Sequence, residues 1–190
     1  MSTFYSSYPY KFITKITGTP SGVPELFYRF KSIKTNKTYY VHVEMHPNHF
    51  YGVKFHLKEH NKNPNKYNIQ ANLHEARPVV YTCISIMLEI GREDKRSSFG
   101  FIGSNTTHLI DRNGGGEIYK EASEKLKGAA KRYNLYKRIM LTFFSDDVFE
   151  HYQNEEYSTY MLVRRTELNK NGDLPNQIST YFSDNYDNFR

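Results

Sequence analysis

Apolar and polar positions alternate with a period of two over much of the first third of the chain, the pattern of strands that bury one face. Tyr10, Phe12 and Ile16 stand against Lys11 and Lys15, and Leu26, Tyr28 and Phe30 stand against Phe27, Arg29 and Lys31. The stretch from Gly18 to Pro24 interrupts the two runs, because Pro and Gly end hydrogen-bonded ladders. Thr35 to Lys37 reads as a turn. Tyr39, Val41, Val43 and Met45 then share one strand face, with Tyr40, His42, Glu44 and His46 on the other. After a reversal at His46 to His49, Tyr51, Val53, Phe55 and Leu57 return. The first third is thus expected to be an antiparallel meander of about four strands, with a further short strand at Lys66 to Gln70.

The period changes from Leu73 onward. Pro78, suited to the first turn of a helix, opens a run that is apolar nearly all round and stops at Gly91. Such a helix belongs in the core, against the sheet. Ser98 to Gly103 reads as a strand, and Ser104 to Gly116 as a polar loop ending in three glycines that act as a hinge. A second helix is expected from Glu117 to Phe144, bent at Gly128. At 100° per residue its Leu126, Ala129, Tyr133, Tyr136, Met140 and Phe143 form one face, and Lys127, Lys131 and Arg138 the opposite one. Asp146 and Asp147 read as turn residues. Tyr157 to Val163 is a last strand, and residues 169–190 show no sustained period. The expected organisation is one α+β domain over 1–168, a largely antiparallel sheet with two packed helices, followed by a mobile polar tail.

Composition narrows the functional classes. The 190 residues suit one domain, and 38% hydrophobic residues with a mean hydropathy of -0.74 leave enough apolar surface for one core. The longest nearly uncharged run, Pro78 to Leu88, is too short to span a bilayer, so no membrane partner is expected. No charged-then-apolar leader is seen, and the lone Cys83 cannot form an intramolecular disulfide or a cysteine metal cluster; both favour a cytoplasmic location. Cys83 itself, in the apolar helix, is a core residue. The charge balance of 26 Lys+Arg against 20 Asp+Glu leaves +6, which makes an acidic partner plausible.

Two constellations stand out. Lys125, Lys127, Lys131, Arg132, Lys137 and Arg138 lie within fourteen residues that contain no acid, and the Lys127, Lys131 and Arg138 face could track phosphates along a strand. The same cations would also suit the C-terminal half of a solvated helix. His42, Glu44 and His46, with His49, His56 and His60 nearby, could converge on a divalent cation, but their spacing fits a polar solvent face better than a metal template. These readings lead to a non-enzymatic binding protein for nucleic acid, with Lys127, Lys131 and Arg138 on phosphate and Lys137, Arg132 and Ser104 as secondary contacts. A protein partner held by Tyr181, Phe182, Tyr186 and Phe189 is a further possibility.

The order of elements adds a resemblance. A meander, one buried helix, a strand, a second helix and a last strand resembles the GNAT fold of acetyl-CoA-dependent N-acetyltransferases. The stretch from Ala129 to Arg138 is similar to that family's Ala-x-x-Leu-Tyr helix, and Tyr157 to Leu162 resembles its final Tyr-x-Met strand. The resemblance implies an acyltransferase alternative with acetyl-CoA as cofactor and Tyr136 as the general acid. At Gln70 to Pro78, where the family carries a glycine-rich pyrophosphate loop, this chain has no glycine.

Overall fold

The computed structural model describes residues 6–64, 66–67, 75–102, 134–154 and 159–185. Its strands are β1 (Tyr10–Ile16), β2 (Glu25–Lys31), β3 (Thr38–His46), β4 (Phe50–Leu57), β5 (Ser98–Ile102), β6 (Phe149–Asn154) and β7 (Thr159–Arg164). Its helices are α1 (Ala76–Glu93), α2 (134–143), α3 (Arg165–Lys170) and α4 (Leu174–Asn185), with a 3₁₀ turn at Lys58–His60.

The strands form a seven-stranded sheet in the order β1-β2-β3-β4-β5-β7-β6. The first four make an antiparallel meander, as the alternation predicts. Asn36, Asn48 and His49 hold positive φ (60°, 60° and 57°) at its turns, a backbone that asparagine tolerates better than most residues. Helix α1 carries the chain from the end of β4 back to the start of β5. That crossover makes β4 and β5 the one parallel pair among the described strands.

One face of the sheet packs on α1 and α2. Tyr28, Phe30, Tyr39, Val41, Val43, Val53, Phe99, Phe101 and Leu162 meet Val79, Val80, Cys83, Ile84, Ile86, Met87 and Ile90 of α1 and Ile139 and Met140 of α2. Cys83 is fully buried and its thiol is pushed well above its ordinary range by burial, in keeping with a packing role. The other face holds a smaller cluster in which Phe50 and Val163 meet Leu174 and Ile178 of α4. Gly100 makes that layer possible: a Cβ there would lie 2.5 Å from the Phe50 ring.

Several expectations are corrected. The sequence pattern stops the first helix at Gly91, but α1 continues to Glu93 and is closed by the Asp94 N–H donating to the Ile90 carbonyl (2.8 Å). Residues 66 and 67 lie in a turn rather than a strand, and the rest of that expected strand falls outside the described residues. Strand β6 has no counterpart in the sequence reading; its Phe149 and His151 face the main core while Tyr152 packs on the opposite layer. From Asn169 to Asn185 the expected tail is instead the end of α3 and all of α4, because Leu174 and Ile178, four apart, anchor a helix turn on the sheet. The bend at Gly128 and the glycines 114–116 lie outside the described residues.

Candidate functional site

The described part of the parallel pair is short. Partners run from Phe50↔Ser98 to Val53↔Phe101, whereas β4 continues through Lys54–Leu57. In open sheets with helical crossovers, ligands bind at the carboxyl ends of parallel strands. The N-terminus of α1 lies at the same end: Tyr39 pairs with Leu57 across β3 and β4, and its hydroxyl donates to Glu75, the residue before α1 (2.7 Å). The first turn of α1 contains no acidic residue and an exposed Arg77.

Glu75 is 3% exposed and serves this corner structurally. It accepts hydroxyl hydrogen bonds from Tyr8 (3.0 Å), Thr35 (3.0 Å) and Tyr39 (2.7 Å), and from Ser32. Burial alone would raise its pKa, but the four donors together hold the carboxyl below its usual range. Glu75 therefore ties the β2–β3 turn and the N-terminal segment to α1, and its charge is spent on these donors.

The second face of β2, β3 and β4 is not the solvent face that the histidine spacing suggests. Glu44, His46 and His56 are 3%, 7% and 3% exposed, and the Tyr67 ring lies edge-on to those of His42 and His56. The His42 Nδ1–H faces Glu25 at 2.8 Å, and the His56 Nδ1–H donates to the Leu57 carbonyl at 2.8 Å. The two rings stack with centroids 5.5 Å apart, and the Nε2 atoms of both have no hydrogen-bond partner among the described residues. Desolvation lowers the His56 pKa to about 4, opposed by the Leu57 carbonyl and reinforced by Lys66, His42 and His60. Lys54 pairs with Glu44 (2.5 Å), and Glu44 also meets His46 (3.2 Å). Among the described residues no group of three or more His, Cys, Asp and Glu side chains could hold a metal ion.

The structure places the sequence-predicted residues unevenly. Tyr136, half-buried, packs against the core with its ring 6.1 Å from that of Phe101, the last β5 residue paired with β4. That sets α2 beside the described end of β5. Arg138 is exposed and Lys137 half-exposed on the same helix, while Ile139 and Met140 are buried. Lys127, Lys131, Arg132 and Ser104 lie outside the described residues, as do Tyr186 and Phe189. The pairing of Glu25 with His42 is absent from the sequence reading. Only the β2–β3 register, which sets Phe27 opposite His42 and Glu25 diagonal to it, brings them together.

No family model, no curated protein and no solved structure matches this chain. No helix among the described residues is long and apolar enough to cross a membrane.

Proposed function

We propose that the protein binds an acyl-coenzyme A at the carboxyl ends of β4 and β5 and transfers its acyl group, as the GNAT resemblance of its element order implies. The observation that carries this reading is the parallel β4–β5 pair with the N-terminus of α1 at its carboxyl end. The anionic end of the ligand would meet the α1 N-terminus and the exposed Arg77, where the helix dipole favours negative charge. In this reading an acceptor nucleophile attacks the thioester carbon, the C–S bond breaks, and the Tyr136 hydroxyl gives its proton to the departing thiolate.

Calorimetry with acetyl-CoA and with free coenzyme A tests the reading. Binding is expected with both, weaker in Arg77→Glu, and Tyr136→Phe should bind normally while losing turnover. Absence of heat at millimolar ligand refutes it.

A second reading, a nucleic-acid surface on α2, is favoured by the exposed Arg138 and half-exposed Lys137 opposite buried Ile139 and Met140. Here Lys127, Lys131 and Arg138 contact phosphate, supported by Lys137, Arg132 and Ser104. The log–log salt slope of binding should flatten in the Lys127→Ala, Lys131→Ala, Arg138→Ala triple variant. An unchanged slope removes this reading.

A further inference from the structure

Away from both the carboxyl ends of β4 and β5 and α2, the outer part of the sheet's second face carries charge that no described residue balances. Lys11 of β1 lies directly opposite Arg29 of β2, and Lys31 follows Arg29 by two residues on the same face. Same-face residues on a strand are about 7 Å apart, so the three cations form one tight group. All three are exposed, and none makes an ion pair with a described residue. Like charges directly opposite one another across a ladder weaken it. The acids of β2 and β3 give no relief: Glu25 is engaged with His42, and Glu44 with His46 and Lys54.

Aromatic rings border the cations on that same face. Tyr40 of β3 pairs with Arg29, and Phe27 lies two residues along β2 from Arg29. The rings of Phe27 and Tyr40 meet edge to face with centroids 5.1 Å apart, and both side chains are partly exposed.

We propose that this part of the sheet, built on Lys11, Arg29, Lys31, Phe27 and Tyr40, binds single-stranded nucleic acid. A polyanion satisfies the unbalanced cations. A single strand, unlike a duplex, can also lay unstacked bases on the partly exposed rings of this sheet face. The inference is independent of acyl transfer and of the α2 surface.

The test is fluorescence anisotropy of the full chain with a labelled twelve-residue oligothymidylate at several salt concentrations. The comparison ligands are its duplex with oligoadenylate and a polyglutamate competitor. Each phosphate contact to a single strand contributes about 0.7 to the log–log salt slope, so Lys11→Ala, Arg29→Ala, Lys31→Ala together should flatten it by about 2. Tyr40→Leu should weaken single-strand binding about tenfold and leave the slope alone. Lys95→Ala, at an exposed cation outside this surface, should change neither. Circular dichroism of each variant confirms that it is folded. Four results overturn the proposal: no binding to the single strand, an unaltered slope in the folded triple variant, duplex affinity equal to that of the single strand, or equal competition by polyglutamate.

Discussion

Acidification tests the buried histidine strip most directly. His56 is 3% exposed, donates from Nδ1 to the Leu57 carbonyl, and keeps an ordinary folded state only while neutral; its pKa is lowered to about 4. In the unfolded chain it titrates near 6.5, so below that pH the unfolded chain binds a proton that the folded one refuses. The contribution to stability is therefore complete above pH 6.5 and is lost as the pH falls toward 4. Linkage with these two values gives a loss of about 2 kcal/mol at pH 5 and about 3 kcal/mol at pH 4. The groups facing the ring, His42, His60 and Lys66, are cationic when protonated and act in the same direction. Glu75, Asp94 and Glu167 have lowered pKa values, so the stability they supply is lost only below the ordinary carboxylate range. The interval between pH 6.5 and 5 lies above the carboxylates, and comparison with His56→Gln assigns the share of His56 within it. Urea unfolding followed by far-ultraviolet circular dichroism, at half-unit steps from pH 7 to 5, should show the midpoint falling at constant m-value. His56→Gln should start less stable and lose the dependence in that interval. A wild-type curve flat to within about 0.5 kcal/mol, or the same slope in the variant, refutes the assignment of a buried neutral imidazole.

Three other substitutions probe the fold. Gly100→Ala drives a methyl into the Phe50 ring and should cost about 1–3 kcal/mol by urea titration; a neutral result would mean that the ring can step aside. Glu75→Ala strips four hydroxyls of their common acceptor and should cost about 3 kcal/mol or more in the same assay, so a loss below about 1 kcal/mol speaks against the cage. Ile178→Ala should lower stability by about 2–4 kcal/mol if α4 is docked on the sheet, and by almost nothing if residues 174–185 stand free of it.

The meander was legible because Tyr39, Val41, Val43 and Met45 on one strand and Tyr51, Val53, Phe55 and Leu57 on the next alternate cleanly with polar neighbours. The first helix was legible because a run from Val79 to Ile90 with few polar residues, opened by Pro78, has one sensible home. Strand β6 was not, since Phe149, His151 and Tyr152 interrupt any simple alternation and serve both layers. Helix α4 was hidden for a related reason. Two apolar anchors, Leu174 and Ile178, among Asn, Asp, Gln and Ser carry little periodicity, and only the patch at Phe50 and Val163 gives them something to cover.

The candidate sites divide along the same line. The amino-acid order alone determined an antiparallel start, a buried helix and a cationic stretch near residue 130, because these depend on neighbours close along the chain. Tertiary structure decided which strands run parallel and which polar residues are buried. It also set Lys11 against Arg29, and Glu25 within reach of His42. Those relations depend on register between strands, which local sequence does not specify: a slip of one residue would turn every one of these side chains to the other face.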